Sequence, residues 1–445
     1  MTSQLIDVHM KKFLLTGILI PVALLNLWAN VSLDDFLSRK EVKEIRVIKN
    51  EADFDRVLEV MIEQPLDHHR PDGETFSQRI YISHVDPSRP VVLVMAGYDA
   101  RYYYTSEITT ALRCNQVMVE HRYFGRSTPD SIQWQYLNTW QAASDHHSIV
   151  EMFKEVYPGP WISTGISKGG QTVMYHSYYY PDDVDVRVPY VAPLNFGVED
   201  PRIYTFLKKV GPLHERMKVR AFQKMALKYQ EEYLPAFKAF SEEKGYTYEL
   251  AGGLEKAYEY CVLEYSFAYW QWGYVPVEKI PGRKASPEEV VEHMNRVGGF
   301  DYFSDQSIVE YRPFFYQALT EMGYYGYELD AFHKYLKHVD NPVFTFTLSK
   351  DMEAPFNEEL SYQLQEFVTE EAENFIYIYG EYDTWSATAV SHTGSTNSRI
   401  FVKEGGSHRT RINNMPEEQK EEVYTTLKTF LGSPAEDRTS EALTP

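Results

Sequence analysis

Apolar positions along this chain change their spacing three times. Residues 76–83 alternate apolar and polar, with Ile80 and Ile82 on one face, and predict a half-buried strand. Residues 90–96 are continuously apolar, which predicts a strand covered on both faces, as in a parallel sheet. Residues 116–120 predict the next strand, 141–157 a helix, 161–164 a strand, 171–180 a helix stopped by Pro181, and 184–192 a further strand. Residues 41–62 read as extended or mixed. Strand alternating with helix in this way specifies an α/β fold around a parallel sheet.

From about residue 200 to 340 the apolar spacing becomes helical, as in Phe222, Met225, Ala226 and Tyr229. Ser286-Pro287-Glu288-Glu289 has the pattern of a capping box with proline at the first helical position, and Gly298 offers the stop. Sheet signals return at 343–348, are strong at 374–380, and recur at 398–402. A final helix carries Val423, Leu427, Phe430 and Leu431 on one face. The expected organisation is therefore an α/β core in two parts, residues 30–199 and 341–433, with a helical cap inserted at 200–340. Residues 434–445 are expected to be a disordered tail.

The N-terminus follows a different rule. Met10-Lys11-Lys12 is a positive segment, residues 13–25 are apolar but interrupted by Pro21, and Leu27-Trp28-Ala29 is an acceptable cleavage site. Residues 1–29 are expected to be a signal peptide, with export to the periplasm or medium and no stable membrane insertion after cleavage. The alternative is an uncleaved anchor, for which the apolar run is short.

Composition narrows the partners. The chain has 445 residues, 43% of them hydrophobic and 24% charged, and a formal net charge of −20, which argues against nucleic acid as a partner. Only Cys114 and Cys261 are present, and both a disulfide and two buried thiols fit them. There is no C-x-x-C, H-E-x-x-H or P-loop pattern. His146-His147 reads as a capping or solvent-facing pair, so no metal or cofactor is called for.

Candidate chemistry centres on Gly165-x-Ser167-x-Gly169, between the strand at 161–164 and the following helix. A serine on such a turn has its hydroxyl pushed out where a base can reach it. The strand at 90–96 ends in Gly97-Tyr98. Either these residues are an ordinary strand-ending turn, or the amide of Tyr98 or Gly97 joins that of Lys168 in an oxyanion hole. Asp383 follows the strand at 374–380, and His408 follows that at 398–402. The order Ser167, Asp383, His408 is that of an α/β-hydrolase, with Glu381 as the rival acid. The aromatic stretch 261–273 reads as cap core or as a lined cleft.

The segments around Ser167 and His408, with the cluster Glu120-His121-Arg122-Tyr123-Phe124-Gly125-Arg126-Ser127, resemble the secreted bacterial prolyl tripeptidyl and tetrapeptidyl aminopeptidases. The prolyl carboxypeptidase and dipeptidyl peptidase II group is more distant. That group usually has Gly-Ser-Tyr-Gly-Gly at the elbow, where this chain has Lys168 after the serine. The resemblance implies peptide substrates with a free N-terminus, cut after proline to release short peptides. A carboxylate must then hold the amine. Glu264 and Glu321 are candidates, each equally readable as an acceptor within the cap. Tyr269, Trp270 and Trp272 are candidates for stacking on the proline ring. An esterase with the same three residues and a binding protein that has lost catalysis are the competing readings. Oligomeric state is not legible.

Overall fold

The computed structural model describes residues 31–49, 54–273, 275–350, 352, 354–391 and 394–432; the expected signal peptide and C-terminal tail lie outside them. Nine strands form one sheet: β1 (Val42–Val47), β2 (Arg56–Pro65), β3 (Thr75–His84), β4 (Val91–Met95), β5 (Asn115–Val119), β6 (Trp161–Ile166), β7 (Val186–Tyr190), β8 (Ile376–Gly380) and β9 (Arg399–Lys403). Their order is β1-β2-β3-β5-β4-β6-β7-β8-β9. The first three pairings, ending with β3 on β5, are antiparallel, and every later pairing is parallel. From β2 onward this is the α/β-hydrolase arrangement. The continuous apolar run at 90–96 has the expected consequence: β4 is buried along its whole length, as are β5, β7 and β8.

One segment is sharpened and another differs from the sequence expectation. The described residues of 41–62 are largely extended, as expected, and form β1 and most of β2, an antiparallel pair. Residues 343–348 are not a strand; Phe344–Thr347 form a 3-10 turn closed by Thr347 Oγ1 donating to the Phe344 carbonyl at 2.6 Å. The reason is packing. Phe344 stacks on Phe315 and meets Tyr324 and Tyr325 inside the helical layer, and an aromatic, β-branched run serves there as well as in a sheet.

Among the described residues no strand lies between β7 and β8. Helices Leu213–Lys228, Gln230–Lys244, Leu254–Trp272, Pro287–Gly298 and Arg312–Gln317 fill that interval and share one aromatic core. The capping box forms at Ser286 and Glu289, and Gly299, one residue past the proposed stop, takes the positive φ that ends the helix. Cys114 and Cys261 are free and buried. No helix of the described residues is long and apolar enough to cross a membrane.

The Glu120–Ser127 cluster braces the sheet edge. Arg122 is fully buried and grips Asp145 with two nitrogens, at 2.6 and 2.7 Å. Glu120 accepts from the amide and hydroxyl of Ser127 and from the amide of Ala100, fixing the loop after β4. An uncompensated guanidinium at 0% exposure is costly. Asp145→Ala is therefore expected to lose about 3–5 kcal/mol, read as a lower denaturation midpoint in guanidinium chloride.

Candidate active site

β6 ends at Ile166 and helix Lys168–Tyr179 starts two residues later, leaving Ser167 alone to make the turn. It does so at φ 57° and ψ −119°, a left-handed region that a side chain enters only when its surroundings hold it there. The surroundings are backbone. A Cβ on Gly165 would fall on the carbonyl of Gly169, and a Cβ on Gly97 would lie 2.5 Å from the Gly169 nitrogen. The loop after β4 thus touches the start of the helix, with nothing between them.

Neither the amide of Tyr98 nor that of Lys168 has a hydrogen-bond acceptor among the described residues. Both residues line the cleft that contains Ser167. Lys168 opens the helix, so the positive end of the helix dipole faces the same point. His408 and Asp383 meet it from β9 and β8: His408 Nδ1 lies 2.7 Å from Asp383 Oδ2, and Asp383 Oδ1 accepts from the Trp385 amide. Asp383 is fully buried. Glu381, the rival acid, is exposed and accepts from the Gly405 amide instead.

The cleft has a volume of about 920 Å³ and runs from this point up into the cap. Its cap wall is one face of helix Leu254–Trp272: Glu264, Phe267 and Gln271, at helical spacing. Trp272 ends that helix and sets its ring edge-on to His408, with centroids 5.6 Å apart. Tyr269 and Trp270 point elsewhere. Tyr269 donates to Glu215, and Trp270 packs on Tyr382 and Gly211. Successive residues lie roughly 100° apart around a helix, so Tyr269 and Trp270 diverge, and of the three aromatics Trp272 alone lines the cleft. Tyr98, Tyr302, Phe314, Tyr324 and Trp385 complete the aromatic wall. Among these, sequence reasoning singled out Tyr98 alone, and for its amide.

The two nominated carboxylates separate. Glu321 accepts from the Thr139 amide at 2.6 Å, at the N-terminus of helix Thr139–Lys154, and does not line the cleft. Glu264 does line it. Tyr325 and Tyr327 both donate to its Oε2 at 2.8 Å, and Oε1 accepts nothing among the described residues. Burial pushes the Glu264 carboxyl up to about 8 against the pull of those two hydroxyls. His146 bonds the Ala142 carbonyl and His147 bonds Asp183, both away from the cleft.

The Lys168 side chain lies behind the elbow. It is 1% exposed, and its amine has no hydrogen-bond partner among the described residues. Its nearest features are the faces of Tyr98 and Phe124. Burial holds its pKa, and that of neighbouring His121, well below the usual range.

Residues 38–440 match the family model described as PS-10 peptidase S37. A prolyl tri/tetrapeptidyl aminopeptidase of Streptomyces mobaraensis is 29% identical over 383 residues, covering 85% of this chain and 80% of the relative. The solved structure of VinJ is similar at a TM-score of 0.41 with 11% identity, covering 88% of this chain and 99% of that one. The proline iminopeptidase of Mycobacterium smegmatis is similar at 0.37 with 13% identity, covering 83% and 98%.

A lysine with a depressed pKa takes up a proton on unfolding at neutral pH, so its burial opposes folding there. That cost fades as pH rises toward 10.5, where the unfolded lysine is also neutral. Lys168→Met keeps the volume and removes the unpartnered amine. It is expected to stabilise the fold at pH 7 by at least about 1 kcal/mol, with the gain shrinking as pH rises, in paired denaturation curves at pH 7 and 10.

Proposed function

We propose, on the premise that this chain belongs to the PS-10 peptidase S37 family and is a serine peptidase, that it releases tri- or tetrapeptides from free N-termini by cleavage after proline. In this reading Ser167 attacks the carbonyl carbon while His408 takes the hydroxyl proton. Asp383 holds the imidazole in the required tautomer and stabilises its charged form. The amides of Lys168 and Tyr98, with Gly97 keeping that loop close, receive the developing oxyanion. His408 then returns the proton to the departing amine, and water repeats the cycle on the acyl-enzyme. Export, by way of the segment at 1–29, belongs to the same reading.

The observation that carries the substrate assignment is Glu264. It is a carboxylate at the cap end of the cleft with one oxygen held by two tyrosines and the other accepting from no donor among the described residues. A peptide ammonium brought there finds the partner its burial requires. The aromatic wall of Phe267, Trp272, Phe314 and Trp385 supplies flat faces for a proline ring. The relative from Streptomyces mobaraensis carries the corresponding name.

The test is a panel of proline-containing peptides with free and acetylated N-termini, run beside Ser167→Ala. Cleavage after proline only when the amine is free, and none by the variant, is the expected result. Cleavage indifferent to acetylation but dependent on a free C-terminus would assign the carboxypeptidase reading. Hydrolysis of esters alone would assign an esterase, and failure of a fluorophosphonate to label Ser167 a binding protein.

Two further outcomes follow from Glu264. Glu264→Gln should raise KM for free-amine peptides by about tenfold or more. KM of the native chain should be lowest near pH 8. Below it Glu264, with its pKa of about 8, becomes protonated; above it the peptide amine, whose ordinary pKa is also about 8, loses its charge.

A further inference from the structure

The far half of the cleft is cationic. In the reading above His408 protonates the departing nitrogen, so the leaving fragment must lie on the His408 side of Ser167. Arg409 and Arg411, one and three positions beyond His408, line the cleft, as do Tyr104 and Ile166. Arg411 Nη1 donates to the carbonyls of His408 at 3.2 Å and Thr410 at 2.7 Å. The guanidinium carbon sits 5.7 Å from the centre of the Tyr190 ring. One nitrogen and one face therefore hold the side chain still. Nη2 and Nε donate to nothing, and no carboxylate reaches ion-pair distance, among the described residues.

This is a half-buried, immobilised cation with no carboxylate at ion-pair distance among the described residues, although Glu107 and Asp383 act on it from farther off, in a chain whose net charge is −20. Acidic side chains are abundant, and nearby Glu107 is occupied by the amides of Ile412 and Asn413. Two free donor groups on a fixed guanidinium match the two oxygens of a carboxylate. We propose that Arg411, with Arg409 beside it, is a carboxylate subsite for the leaving fragment. It takes either the free C-terminus of a short peptide or an acidic side chain next to the scissile bond. The proposal rests on the peptidase reading, and it assigns the cleft an electrical direction: amine at Glu264, carboxylate at Arg411.

The test compares kcat/KM for Ala-Ala-Pro-Ala as free acid and as carboxamide, and for Ala-Ala-Pro-Glu-amide against Ala-Ala-Pro-Gln-amide. The native chain should prefer the charged member of at least one pair by about tenfold, and Arg411→Met should bring that ratio near one. A preference in the first pair alone identifies the C-terminus as the ligand; one in the second identifies the side chain. Because Arg411 also touches the His408 carbonyl, the variant can slow all four substrates, so the ratio within one protein is the readout. If Arg411→Met does not fold, inhibition of the native chain by Ala-Ala and by its carboxamide replaces it, with the acid expected to inhibit more strongly. Equal rates within both pairs, an unchanged ratio in the variant, or equal inhibition would overturn the subsite while leaving the peptidase reading intact. No cleavage of any of the four would overturn both.

Discussion

Everything in the site depends on two pieces of backbone touching. The loop after β4 and the first turn of helix Lys168–Tyr179 are in contact at Gly97 and Gly169, and Gly165 leaves room for the Gly169 carbonyl. Only this closeness puts the amides of Tyr98 and Lys168 on the same side of Ser167. It also holds Ser167 at a φ that its own side chain disfavours. Energy spent on that strain is recovered in the parallel sheet beneath, where β4, β5 and β7 are buried throughout. Glu120 then anchors the loop from the other end through the Ala100 amide.

Much of this was legible in the sequence because parallel strands point their C-terminal ends the same way. Residues that follow β4, β6, β8 and β9 must gather at one edge, whatever lies between. The contact of Asp383 with His408 is a consequence of that rule. The choice of Asp383 over Glu381 is finer, since two residues of loop decide which carboxylate turns inward. The change of apolar spacing near residue 200 falls close to the first of the helices between β7 and β8.

What periodicity could not read was the face of helix Leu254–Trp272 that looks into the cleft. That helix is apolar or aromatic on nearly every side and is buried on nearly every side, so no polar stripe marks its orientation. Tyr269 and Trp270 were for that reason indistinguishable from Phe267 and Trp272. Glu264 and Glu321 were likewise two acids among aromatics, until one proved to cap a helix and the other to stand in the cleft. The turn at Phe344–Thr347 failed for a related reason: a cap core rich in aromatic rings accepts the residues that a strand prefers.

The helix that walls the cleft is also tied to the loops beneath it. The Phe267 carbonyl accepts from Thr384 Oγ1, beside Asp383, and the Gln271 carbonyl accepts from the His408 amide, each at 2.8 Å. These two carbonyls lie one helical turn apart, so a single rod sets the spacing of the acid and histidine loops. A cap that swung open as a lid would tear both ties and pull the two loops out of register. Keeping that register favours a cleft of standing shape over a closing lid.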